Sequence, residues 1–131
     1  MSTVMWLAAI VAGAIHVLFF LVESAWWTTP GVRRRFRQTP EQAEATRLLA
    51  FNQGFYNLFL AAGTCGGLAL TLAGHPGPGL AIAAWCCLSM LGAAVVLAAS
   101  APALRRGAVI QGAAPLVFLA LAVARLGGWG P

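Results

Sequence analysis

The sequence contains no lysine and no aspartate, and its charge is carried by eight arginines and three glutamates. Charged residues make up 8% of the 131-residue chain and hydrophobic ones 60%. Soluble folds carry roughly 25% charge, so this composition excludes an ordinary soluble domain and points to a membrane protein. The formal net charge of +5 raises nucleic acid as a partner, but the arginines flank apolar runs and read as topology signals, so no nucleic-acid binding is expected. Cys65, Cys86 and Cys87 lie in apolar stretches without a C-x-x-C or Cys/His spacing, so they define neither a zinc site nor a disulfide framework. A G-x-S-x-G nucleophile and a phosphate loop are also missing.

What the chain does have is hydrophobic length. Val4 to about Trp26 is apolar except for His16, Glu23 and Ser24, and it is long enough to cross a hydrocarbon core of about 30 Å. No basic residue precedes it and no A-x-A site follows, so it is expected to be a retained span rather than a cleaved signal. Trp26 and Trp27 mark a water interface. Thr28 to Gln38 forms a connection with Arg33, Arg34, Arg35 and Arg37 around Phe36. Thr39-Pro40-Glu41-Gln42 then has the form of a capping box with proline at the first helical position.

A helix from there to about Ala73 is roughly 50 Å long and must project from the membrane. In its first turns Glu44 and Arg47 form an i,i+3 pair. Gly74 to Gly79 is rich in helix breakers and reads as a tight turn. A third helix from about Leu80 to Ala99 offers Ser89, Gly92 and several alanines for close helix contact. A fourth follows from about Gly107 to Leu126, with Gln111 and Pro115 inside it, and Trp129 is expected at an interface. The predicted fold class is all-α, one integral membrane four-helix bundle over residues 1–131, with helices at about 4–26, 40–73, 80–99 and 107–126.

Basic residues near span ends stay in the cytoplasm. Arg33, Arg34, Arg35, Arg37, Arg47, Arg105 and Arg106 fall on one side of a four-span arrangement, and Arg125 on the other. Both termini are therefore expected to be non-cytoplasmic, in the inner (plasma) membrane of a bacterium.

Polar groups gather in the cytoplasmic half of that arrangement. His16 and Glu23 are seven residues apart, about 700° along an ideal helix, and so share a face to within roughly 20°. Asn52, Gln53, Tyr56 and Asn57 cover an arc of about 140° on the second helix. Gly63, Thr64, Gly67 and Thr71 continue that small and polar stripe, and Gln111 lies at similar depth. An ionisable group within a span costs about 3 kcal/mol on insertion scales, which makes Glu23 a functional candidate.

Two readings follow. In the first, a polar pocket serves an intramembrane enzyme acting on a lipophilic substrate by isomerisation or group transfer. Glu23 is then the acid or base, His16 its partner, and Asn52, Gln53, Tyr56, Asn57 and Gln111 contact the substrate. In the second, the same groups form an interhelical network in a binding, transport or assembly protein. No metal site is expected, because one His and one Glu fall short of three or four ligands, although copies meeting in an oligomer would supply more. The residues identify no cofactor. The expected partners are the lipid bilayer, a lipophilic ligand and further copies of the chain in a dimer or trimer.

The run His16-x-x-Phe19-x-x-x-Glu23, with Thr29-Pro30, Phe36, Thr39-Pro40-Glu41, Glu44, Thr46, Asn52-Gln53-Gly54-x-Tyr56-Asn57-x-Phe59-Leu60-Ala61-Ala62-Gly63 and Gln111 before Pro115, resembles domain-of-unknown-function family 1304. The resemblance covers essentially the whole chain, and Asn-Gln-Gly-x-Tyr-Asn is its most specific part. It implies a small bacterial four-span membrane protein. Some members bear the label epimerase; this chain carries no dinucleotide fingerprint, and no acid and base pair is evident beyond His16 and Glu23. In architecture the chain is also similar to the trimeric membrane-associated eicosanoid and glutathione metabolism proteins, a likeness that transfers no chemistry.

Overall fold

The computed structural model describes residues 1–128, so Trp129 and its expected interface position lie outside the described residues. Regular structure among them is helical throughout. Helix α1 spans Thr3–Phe20 and passes into a π-helical turn, Leu21–Ala25. A short helix α2, Pro30–Phe36, precedes the long α3, Pro40–Leu72, and α4, Pro76–Ser100. A 3-10 turn, Pro102–Leu104, leads into α5, Arg105–Leu126. Four segments, Thr3–Ala25, Pro40–Leu72, Pro76–Ser100 and Pro102–Leu126, are long and apolar enough to cross a membrane. The protein is all-α with multi-pass membrane character.

Three boundaries differ from the sequence expectation, each for a local reason. The connection after Trp27 contains α2, which opens with Pro30 at N1 and closes on Arg37 in the left-handed region (φ 54°, ψ 43°). In that conformation Gln38 N donates to Arg33 O at 2.9 Å and Arg37 N to Arg34 O at 3.3 Å, satisfying carbonyls that the helix end leaves open. Helix α4 begins at Pro76 rather than near Leu80, with Gly74 (φ 90°) making the turn before it. Prolines are harmless there, because the first turn of a helix has no internal acceptor for its N–H groups. The third difference is the end of α1, where a π-helical turn replaces the last α-helical turn of the span.

The chain divides into two compact units, one of Met1–Ile15 with the chain from Leu60 onward, the other of His16–Phe59. The first is held by an apolar core of Met5, Ala8, Ala9, Ala12, Leu68, Ala83, Cys87, Met90 and Phe118. Small residues set its closest helix approach. A Cβ on Gly67 would stand 2.6 Å from the Gly79 carbonyl oxygen, so α3 and α4 meet backbone to backbone. Of the small residues expected to make close contacts on α4, Ala83 and Ala94 are buried, whereas a Cβ on Gly92 would meet nothing within 4 Å. Thr64 and Thr71 return their hydroxyls to Leu60 O and Gly67 O of their own helix, both at 2.9 Å, so this part of the small and polar stripe serves packing.

The second unit contains the end of α1, α2 and the start of α3. Its α3 terminus closes the expected capping box: Gln42 N donates to Thr39 Oγ1 at 3.2 Å and Thr39 N to Gln42 Oε1 at 2.9 Å. The expected pair between Arg47 Nε and Glu44 Oε1 forms at 2.9 Å on the exposed face.

Candidate functional site

The polar groups of the second unit converge on the π-helical turn. Trp26 N donates to Leu21 O at 3.0 Å, an i→i−5 bond that admits one residue more than an α-turn holds. Glu23 and Ser24 occupy this widened turn, so the ideal α-helical phase used to relate Glu23 to His16 no longer applies between them. Such turns recur at functional sites because they re-aim side chains within an otherwise regular helix.

Helix α3 grips the turn at three positions with i,i+3 spacing, which places them on one face. At Asn57, Nδ2 donates to Glu23 Oε2 at 2.7 Å, the short end of the N–H···O range. At Phe51, the carbonyl accepts from Ser24 Oγ at 3.1 Å. Between them, Gly54 lets the backbones close: a Cβ there would overlap Ser24 Oγ and lie 3.1 Å from the Phe20 carbonyl oxygen. Phe55 flanks the contact, with its ring edge-on to Phe20 at 5.2 Å and tilted against Phe51 at 5.0 Å. Asn57 is buried, Glu23 is half-buried, and no hydrogen bond reaches Glu23 Oε1 among the described residues.

The remaining candidates are distributed differently. His16 is fully buried, with its ring edge-on to Phe19 at 5.7 Å. Asn52 is exposed and returns its Nδ2 to Leu48 O at 2.9 Å, one turn back on its own helix. Gln53 is exposed, and Tyr56 is 64% exposed on the outer face of α3. Gln111 belongs to the first unit, where its Nε2 donates to Met90 O at 3.3 Å and ties α5 to α4. Of the expected set, Glu23 and Asn57 are thus joined by a direct hydrogen bond. Ser24 and Gly54 are the contributors that sequence reasoning overlooks. Gly54 does carry a signal, since glycine inside a helix costs about 1 kcal/mol against alanine and tends to mark a close approach.

Beyond the turn, Trp27 Nε1 donates to Thr46 Oγ1 at 3.1 Å, and its ring lies 5.1 Å from Phe36 of α2. A cleft of about 320 Å³ opens beside it. Ser24, Ala25, Trp27 and Thr28 form one wall, and Arg47, Leu48 and Phe51 the other.

Residues 10–123 of the chain, which include Glu23, Gly54, Tyr56, Asn57 and Gln111, match the model of a family described as a protein of unknown function, DUF1304. The chain belongs to that family. No curated protein and no solved structure matches it. Membership of DUF1304 therefore brings no activity with it.

Proposed function

We propose that this DUF1304 protein is an intramembrane enzyme that isomerises a lipophilic substrate, with Glu23 as the group that removes and returns a proton. The observation that carries this reading is the asymmetric hydrogen bonding of Glu23. Asn57 fixes Oε2 at 2.7 Å, while Oε1 is left for a second partner. A carboxyl held by one oxygen and open at the other has the form of a positioned acid or base. Moving a proton from one carbon to another, or returning it to the opposite face, conserves atoms and electrons. His16 is a further titratable group of the same unit, and Asn52, Gln53 and Tyr56 of α3 offer amide and phenol groups to a substrate approaching that helix. The arginine distribution supports placement in a bacterial inner membrane with the basic first connection in the cytoplasm.

The competing reading is a purely structural or binding network. The Ser24 bond to Phe51 O and the close approach at Gly54 favour it, because both hold helices whatever Glu23 does. The two separate in one experiment. Glu23→Gln keeps the volume of the side chain and an oxygen for Asn57 but cannot accept a proton. Purified wild type incubated with lipids extracted from the host membrane should form a species of unchanged mass and altered chromatographic retention. Glu23→Gln should fold normally and form none. If Glu23→Gln converts as well as wild type, or if wild type converts nothing, the enzyme reading fails.

A further inference from the structure

We infer that the cleft beside the π-helical turn is a seat for the phosphodiester headgroup of an anionic membrane lipid, with Arg47 as its cationic contact. The cleft is amphipathic. Arg47, Ser24 and Thr28 supply polar groups, and Leu48, Phe51 and the Trp27 indole supply apolar wall. Its volume of about 320 Å³ is in the range of small-molecule sites. Trp27 is fixed by its bond to Thr46 at 3.1 Å and by Phe36 at 5.1 Å, so one wall is rigid and carries the residue type favoured at headgroup depth.

Arg47 uses Nε for Glu44, and its terminal nitrogens make no other hydrogen bond among the described residues. They are the forked donors that suit a phosphate. The surroundings favour an anion. From Trp26 to Arg47 the chain holds five arginines (33, 34, 35, 37 and 47) against two glutamates (41 and 44), a balance of five minus two, or +3. Basic residues at the membrane surface attract anionic lipid in this way. The headgroup's position, beside Ser24 and one residue from Glu23, would leave its acyl chains to run along the apolar part of the same unit. The seat does not depend on Glu23 being catalytic.

The test uses the full chain in vesicles, with Trp6, Trp26, Trp85 and Trp129 replaced by Phe so that Trp27 alone reports. Brominated phosphatidylglycerol and brominated phosphatidylcholine are compared as quenchers at equal mole fraction. The anionic lipid should quench Trp27 with an apparent affinity about fivefold above that of the zwitterionic one, a factor typical of one exposed ion pair. Arg47→Gln should abolish the difference, and Arg47→Lys should retain part of it. Glu44→Gln, at an exposed position that leaves the fold untouched, should enlarge it by releasing Arg47 from its internal partner. Glu23→Gln should leave it unchanged, which keeps this result separate from the proposed catalysis. Equal quenching by the two lipids in wild type, or no response to Glu44→Gln, would overturn the proposal. Loss of the difference on adding millimolar inorganic phosphate would assign the site to free phosphate instead of lipid.

Discussion

Asn57, on the long third helix, donates its amide to Glu23 at 2.7 Å and so anchors the one glutamate that lies inside the first span. Two changes of similar size should affect this bond unequally. Glu23→Gln leaves an acceptor in place and should cost less than about 1 kcal/mol. Asn57→Leu strands a half-buried carboxyl without its donor and should cost about 1–3 kcal/mol. Thermal unfolding in detergent measures both. A Glu23→Gln protein less stable than Asn57→Leu would show that the carboxyl is held by something other than this amide.

At Gly54, beside the π-helical turn, the third helix has no room for a side chain. Gly54→Ala improves helix propensity by about 1 kcal/mol yet must push Ser24 and the π-helical turn away, at a cost of about 1–3 kcal/mol for overpacking. Net destabilisation is expected. Adding Ser24→Ala to Gly54→Ala should recover part of the loss, since it removes the oxygen that the new methyl meets. A Gly54→Ala protein more stable than wild type would contradict the close approach.

Much of this fold is legible in the sequence, and the exceptions have particular causes. Hydropathy locates the four long helices because a span must satisfy its backbone internally, which leaves continuous apolar runs. Thr39 and Gln42 announce the start of α3, and both bonds of the capping box form. The π-helical turn is invisible, because Leu21, Val22, Glu23, Ser24 and Ala25 include no proline or glycine to mark a break. Helix α2 hides among arginines, since seven residues are too few to show a period. For the site, polarity alone overcounts. Asn52 satisfies itself on Leu48, and Gln111 ties two helices together, so residue type gives candidates and only geometry separates them.

Orientation rests on the arginines. A cysteine placed at Ser2, in a background with Cys65, Cys86 and Cys87 replaced by alanine, should react with an impermeant thiol reagent added outside cells, while one placed at Arg35 should be protected. The reverse pattern would invert the topology.

Gln53 and Tyr56 lie exposed on α3, within a segment long and apolar enough to span. Polar groups facing lipid are costly, so a second copy of the chain is expected to stand beside this face, with the substrate entering between the copies. Cysteine at Gln53 in the cysteine-free background should form a disulfide-linked dimer on mild oxidation in membranes, and cysteine at Val123 should not. Equal crosslinking at both positions would indicate random collision and remove the support for an oligomer here.

If Glu23 moves a proton on a lipophilic substrate, isotope exchange reads that step directly. Wild type and Glu23→Gln, each purified and incubated with host-membrane lipid extract in deuterated buffer, are compared by mass spectrometry of the recovered lipids. At least one lipid species should gain a single non-exchangeable deuterium with wild type and none with Glu23→Gln. Equal incorporation by the two proteins, or none by wild type, would contradict the account.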